Sequence, residues 1–475
     1  MTEVLTPDIC VIGAGSGGLS VAAAAAAFGV SVVLIEQAKM GGDCLNYGCV
    51  PSKALIAAAK RAETARRTAP FGIMTPRPSV DFAKVHDHVH GVIAAIAPND
   101  SKERFTGLGV RVIEGAARFK DRATVVVGED FAIKARRFVI ATGSSPAIPP
   151  IPGLAETPHL TNETVFDLKQ APEHLIVIGA GPIGLELAQA FRRLGAEVTV
   201  LEAAQPLAKD DPECAAVVLD QLAREGIKIR SGIEVVRVEA AHPKVRVAVK
   251  TPAGEETIAG SHLLVAAGRR ANVEGLDLKA AGIRHERRGI VVDKGLTTSN
   301  KKVFAIGDAV GAAQFTHVAN YHAGIVIRRA LFRLSAKVNE DVIPWVTFTD
   351  PELAQAGLTE DAARKRHRTI RVLRAPFHDN DRAQAERETV GHIKVITTRK
   401  GVILGATIVG AHAGELITTW TLAIQQRLNI RAVGELIVPY PTLAEIGKRA
   451  AVGYFTQNLT SPLLRRIITF VRRFG

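Results

Sequence analysis

Apolar residues fall in short, sharply bounded runs along this chain. Ile9-Cys10-Val11-Ile12 is closed by Gly13-Ala14-Gly15-Ser16-Gly17-Gly18, and a run of alanines then leads to Phe28 and Gly29. This pattern predicts a buried strand that turns through glycines into a helix ending near Phe28. The next strand is Ser31-Val32-Val33-Leu34-Ile35-Glu36. The pattern recurs. Val177-Ile178-Gly179-Ala180-Gly181-Pro182-Ile183-Gly184 leads into a helix ending near Leu194, Gly195 follows, and Glu197-Val198-Thr199-Val200-Leu201-Glu202 is the next strand. Gly13, Gly15 and Gly18 map onto Gly179, Gly181 and Gly184 at one offset of 166, and Glu36 maps onto Glu202. The alanine run Ala22–Ala27 is too short to span a bilayer.

Each glycine in such a turn has its own physical task. The first makes the tight turn, and the second lets a pyrophosphate approach backbone N–H groups at a helix N-terminus. The third lets helix and strand pack closely. The glutamate that ends the second strand, 23 positions after the first glycine, can accept hydrogen bonds from an adenosine ribose. Two copies of the arrangement predict an α/β fold with two Rossmann-type domains and two bound dinucleotides.

Composition narrows the chemistry. The 475 residues carry a net charge of +13, but the arginines are scattered, aromatics are 5%, and no nucleic-acid motif appears. A nucleic-acid partner is therefore not expected. No basic region followed by an apolar run opens the chain, so a cytoplasmic location is expected. Two of the four cysteines, Cys44 and Cys49, lie in Gly41-Gly42-Asp43-Cys44-Leu45-Asn46-Tyr47-Gly48-Cys49-Val50-Pro51-Ser52-Lys53. This is read as a tight glycine-flanked loop running into a helix. In a reducing compartment such a pair is redox-active or a metal site. Zinc would need two more ligands, which Cys10 in a strand and Cys214 in a helix do not offer, so no metal site is expected. Placed just after a dinucleotide turn, the pair is suited to exchanging electrons with the first cofactor.

With these motifs in place, the chain from about Asp8 to Tyr454 resembles the flavin-dependent pyridine nucleotide–disulfide oxidoreductases, the family of dihydrolipoamide dehydrogenase, glutathione reductase and mercuric reductase. The resemblance implies FAD at the first glycine motif and a nicotinamide nucleotide at the second. It implies that Cys49 faces the flavin and Cys44 meets the substrate, with Lys53 beside the flavin and paired to Glu186. Thr142-Gly143 resembles the crossing into the nicotinamide domain, and Gly307-Asp308 the turn whose aspartate binds the ribityl chain. A C-terminal α+β dimerisation domain beginning near Trp345 is implied as well. The expected domains are 1–150 with 271–340 for FAD, 151–270 for the nicotinamide nucleotide, 341–460 for the interface of a homodimer, and a tail at 461–475.

The departures concern the acceptor. Relatives carry His-Pro-Thr and then a glutamate near the C-terminus, the histidine serving the partner's site as acid and base. Here the frame reads Tyr440-Pro441-Thr442-Leu443-Ala444-Glu445. A phenol, with an ordinary pKa of about 10, is a poor base at neutral pH and a good donor. Mercuric reductases share the tyrosine, but their usual C-terminal cysteine pair is missing, since no cysteine follows Cys214. Tyr47 is bulkier than expected beside the redox cysteines. Glu202 favours NADH over NADPH, because it repels a 2′-phosphate and Lys209 is the only cation between it and Asp211.

Three readings follow: a mercuric-reductase-like enzyme acting on a thiophilic acceptor, a dihydrolipoamide dehydrogenase or other small-disulfide reductase, and a redox-sensing flavoprotein at a membrane surface. The last draws on the tail. After Ser461-Pro462, apolar residues fall on one helical face and Arg465, Arg466, Arg472 and Arg473 on the other. That pattern suits either peripheral contact with the inner membrane surface or packing on the dimer.

Overall fold

The computed structural model describes residues 2–252, 254–456 and 462–474. The chain forms two compact units. Met1–Ala203 with Gly232–Val338 make the first, and Ala204–Ser231 with Asn339–Gly475 the second.

The first unit holds a five-stranded sheet in the order Val303–Ala305, Arg137–Ile140, Ile9–Ile12, Val32–Glu36, Val110–Glu114. All its pairings are parallel. The central strand is buried along its whole length, which explains its unbroken apolar run. The strand at Val303–Ala305 comes from far along the chain, so the first sheet is completed only after the second glycine turn has been built. The alanine-rich helix Ser16–Ala27 is interior: Val21, Ala22 and Ala25 are fully buried in a cluster that includes Ala323 and Val326 of the helix Thr316–Ala330. Small side chains let the two helices approach. A Cβ on Gly17 would stand 3.2 Å from the Ala319 Cβ.

The second glycine turn follows the strand His174–Ile178, which pairs in parallel with Glu197–Glu202 and His262–Val265. The helix Pro182–Arg193 leaves this turn and packs on the helix Cys49–Arg66.

The second unit is built on a five-stranded antiparallel sheet in the order Trp345–Thr347, Glu352–Gly357, Ile403–Gly410, His392–Thr398, Ile370–Pro376. The helices Ala413–Gln425 and Glu445–Thr456 cover it, with Trp420, Ile417, Ile446 and Ala450 in the shared core. The tail forms a helix over Pro462–Val471, while Ser461 and Gly475 lie outside the described residues. Among the described residues no helix is long and apolar enough to cross a membrane.

Candidate active site

The two glycine turns are alike in geometry. Gly13 and Gly179 have φ of 104° and 110°, and a Cβ on either would stand 2.4 Å from a carbonyl oxygen, that of Ala141 or Ala266. A Cβ on Gly18 or Gly184 would collide with the carbonyl of Gly13 or Gly179, at 1.9 and 2.1 Å. The protein's own backbone therefore demands four of the six glycines. The middle pair differs. Gly15 and Gly181 have ordinary extended backbones, with φ of −79° and −78°. A Cβ on Gly181 would meet no protein atom within 4 Å, and one on Gly15 only Gly42 Cα at 3.9 Å. Nothing among the described residues requires glycine there, whereas a pyrophosphate lying against a helix N-terminus would. Both turns thus fit a dinucleotide.

Glu36 and Glu202 bind back onto these turns. Glu36 accepts from the Ala14 amide at 2.6 Å and from the Ala38 amide at 2.8 Å, and Glu202 accepts from the Ala180 amide at 2.8 Å. Each carboxylate braces the residue that follows the first glycine of its motif.

The cysteine segment is more helical than the loop read from the sequence. Cys44 lies inside a short helix, Gly42–Asn46, and Cys49 opens the helix Cys49–Arg66. Gly41 and Gly42 have φ of 85° and 59°, and a Cβ on Gly42 would stand 2.7 Å from Gly15 Cα. These glycines let the cysteine helix dock on the first dinucleotide turn, where the Gly41 amide donates to the Ala14 carbonyl at 3.0 Å.

The two thiols are unequal. Cys44 donates its S–H to the Cys49 sulfur, which lowers the Cys49 pKa to about 6. The Thr316 hydroxyl, 3.4 Å away, and the charge of Lys53 lower it further, against partial desolvation by the surrounding protein. The same hydrogen bond pushes Cys44 far upward, and burial adds to it. At neutral pH the pair is a thiolate at Cys49 and a thiol at Cys44. Lys53, one turn after Cys49, reaches Glu186 Oε2 at 2.8 Å; the lysine side chain is 37% exposed and the glutamate 6%.

Residues missed by the sequence reading hold this arrangement. The Asp43 carboxylate accepts from Arg269 at 3.1 Å and from the Asn162 side-chain amide at 3.0 Å, and Asn162 also donates to the Tyr47 carbonyl at 3.1 Å. Arg269 further donates to the hydroxyl and carbonyl of Ser144, both at 2.7 Å, and that hydroxyl donates to Asp308 at 2.6 Å. Burial raises the Asp308 pKa. The Gly307 amide donates to Nδ1 of buried His322, whose pKa is lowered by burial to about 4, so its ring stays a neutral acceptor. Asn272 clasps Thr142: the Thr142 hydroxyl donates to the Asn272 carbonyl at 2.6 Å, and the Asn272 side chain donates back to the Thr142 carbonyl at 3.0 Å. The Gly143 carbonyl accepts from the Asn272 amide at 2.9 Å. A signal for Arg269 was present, since Ala266-Ala267-Gly268 repeats Ala141-Thr142-Gly143 after an apolar strand.

Tyr440 and Glu445 stand in the second unit. Tyr440 is 70% exposed. Its hydroxyl donates to Asp381 at 2.9 Å, and that carboxylate raises the phenol pKa above its usual value. Glu445 turns inward to the Thr442 amide at 3.4 Å. The phenol is thus kept protonated, with its hydrogen already committed. Asp381 was not singled out from the sequence, because its separation of 59 residues from Tyr440 leaves no local pattern.

Two dinucleotide turns, a biased dithiol between them and a second unit of antiparallel sheet define a flavoprotein disulfide oxidoreductase. Residues 7–323 match the family described as pyridine nucleotide-disulphide oxidoreductase, and residues 343–451 match its dimerisation domain. The chain belongs to this family. It is an FAD-dependent pyridine nucleotide–disulfide oxidoreductase that uses NAD(P)H, and the dimerisation domain supports assembly as a homodimer. It is 36% identical to a mercuric reductase of Bacillus cereus, over 95% of this chain and 72% of that protein. It is 35% identical to a dihydrolipoyl dehydrogenase of Chlamydia muridarum, over 97% and 99%. Among solved structures, the HOCl-induced flavoprotein disulfide reductase RclA from Escherichia coli, as a Cu(II) complex, superposes with a TM-score of 0.84 at 28% identity, covering 93% of this chain and 98% of that one. LpdA from Mycobacterium tuberculosis gives 0.85 at 26%, covering 94% and 99%.

Proposed function

We propose that this enzyme delivers electrons from NADH, through Cys44 and Cys49, to a thiol-reactive acceptor such as a soft metal ion, in the manner of a mercuric reductase. The observation that carries this reading is the state of Tyr440. A disulfide acceptor leaves a thiolate that must be protonated, and a titrating base serves that step best. Tyr440 is held protonated by Asp381, so it suits an acceptor whose reduction needs no proton shuttle. The similarity to mercuric reductases points the same way.

When bound, FAD and the nicotinamide nucleotide supply hydride transfer and a two-electron store; residues 1–150 with 271–340 are assigned to the first and 151–270 to the second. The chain's own residues do the rest. Gly13, Gly15 and Gly18, and Gly179, Gly181 and Gly184, admit the two pyrophosphates. Glu36 and Glu202 meet the riboses, and Glu202 disfavours a 2′-phosphate. Thr142, Gly143, Gly307 and Asp308 line the first cofactor. Glu186 orients Lys53, whose charge favours the Cys49 thiolate. Cys44 is the thiol that meets the acceptor: the reduced pair gives up two electrons, closes a disulfide and releases the Cys44 proton. Tyr440 and Glu445 complete the partner subunit's site.

A second reading is a dihydrolipoamide dehydrogenase. It is favoured by end-to-end similarity to such an enzyme, whereas the mercuric reductase extends beyond the matched region. Oxidation of NADH by the purified enzyme should be followed with Hg(II), lipoamide, glutathione disulfide and quinones. Turnover with Hg(II) and none with lipoamide is the expected result. The reverse pattern establishes the second reading in its place.

A further inference from the structure

We propose that the C-terminal helix is a surface anchor that lays its apolar face on membranes rich in anionic lipid. The helix Pro462–Val471 buries none of its residues. Leu463, Ile467, Phe470, Val471 and Phe474 are exposed, and Phe470 and Phe474 meet edge to face at 5.2 Å. At 100° per residue these side chains share one arc of the helix, and Arg465, Arg466, Arg472 and Arg473 share the other. Every charged side chain after Glu445 is positive: Lys448, Arg449 and these four arginines. A helix that packs on its own protein needs only the apolar arc. A polar face of arginines without carboxylates is the complement of an anionic headgroup layer.

The segment also lies beyond residue 451, where the match to the dimerisation domain ends. At a rise of about 1.5 Å per residue, its ten residues reach about half the hydrocarbon thickness of roughly 30 Å, so the helix lies on the surface and does not cross it. A homodimer carries two copies. Once one is seated the second binds at a high effective concentration, so two weak anchors act as one firm one.

The test uses the flavin-loaded dimer, sedimented with vesicles of phosphatidylcholine alone or mixed with phosphatidylglycerol. The parent should sediment only with the mixed vesicles, and less so as salt rises. Each arginine removed should weaken partition about fivefold, and Arg465→Gln with Arg466→Gln removes four from the dimer, so the variant should bind on the order of several hundred-fold more weakly. Ile467→Gln with Val471→Gln leaves the charge intact and should lower binding as well. Retained flavin and dimeric mass confirm that the variants are folded. The proposal is overturned if the parent ignores mixed vesicles, or if the arginine variant binds as well as the parent. A parent that ignores vesicles while the apolar variant falls to monomer assigns the helix to the subunit interface instead, and equally overturns it.

Discussion

Lys53 and Lys394 both hold carboxylates, and their settings differ. In the first unit Lys53 meets one carboxylate of Glu186 at 2.8 Å and keeps 37% of its side chain exposed, one turn from the thiolate at Cys49. In the second unit Lys394 is 4% exposed and holds three carboxylates: Asp211 at 2.9 Å, Glu213 at 3.0 Å and Glu360 at 2.8 Å. Burial opposes the Lys394 charge, but hydrogen bonds to the three acids more than offset it and raise its pKa well above the ordinary lysine range. Arg374 joins the group with two 2.8 Å bonds to Glu213. Asp211 also caps the helix Pro212–Arg224, so Lys394 ties that helix to the antiparallel sheet. A lysine paired to a carboxylate but open on one side, as Lys53 is, has charge left to act on a neighbour. A lysine closed in by three acids has none to spare and serves cohesion.

This contrast can be broken with independent probes. Both tryptophans, Trp345 and Trp420, lie in the second unit, so tryptophan fluorescence follows that unit. Cys49 alkylation follows the first. Lys394→Met leaves the buried Asp211 carboxylate without its cation and should cost about 3–5 kcal/mol, seen as a lower urea midpoint of the fluorescence transition. The pH profile of Cys49 alkylation in the folded variant should not move. A shift in that profile would show that the lysine of the second unit tunes the thiol, and the contrast would fail.

The next largest effect concerns the thiolate itself. In the reduced enzyme, alkylation at Cys49 should be half-maximal near pH 6. Cys44→Ala removes the strongest stabilising donor and should raise that midpoint by about one to three units. Thr316→Val should raise it less, and Lys53→Met least, following the order of their contributions to the thiolate. A Lys53→Met shift larger than that of Cys44→Ala would mean that charge, not the hydrogen bond between the thiols, sets the bias.

The sequence made one side of this contrast visible and hid the other. Cys44, Cys49 and Lys53 lie within ten residues, and both glycine turns carry fixed spacing, because a tight turn and a close backbone approach impose local rules. Glu186 was reachable only through the family resemblance, as 133 residues separate it from Lys53. Lys394, Asp211 and Glu360 left no trace, since a lysine in a strand and an acid before a helix read as solvated positions until the chain is folded. Asp43, Arg269 and Asn162 were hidden in the same way: their clamp on the cysteine helix joins three segments far apart in sequence. The helical state of Cys44 was missed because five residues flanked by glycines carry too little periodicity to announce a helix.

The smallest expected effect is an acid response confined to the second unit. Glu213 is lowered from 4.5 to about 2, chiefly by its bonds to Arg374 and then by Lys394, and Glu360 is lowered through Lys394 and Arg364. A carboxyl whose pKa is depressed on folding stabilises the fold above its unfolded pKa, and loses that contribution as pH falls toward the folded value. The urea midpoint read by fluorescence should therefore fall between about pH 4.5 and 2. Asp210 acts with the opposite sign. Burial raises its pKa, so it binds its proton more readily in the folded state and offsets part of the loss. Its bond from the Trp345 indole, at 2.7 Å, places the fluorescent reporter on that carboxylate. Glu213→Gln should flatten the acid limb, and Asp210→Asn should steepen it. If Glu213→Gln leaves the limb unchanged, the three acids around Lys394 do not carry the acid sensitivity of this unit, and its cohesion rests on the apolar core beneath the sheet.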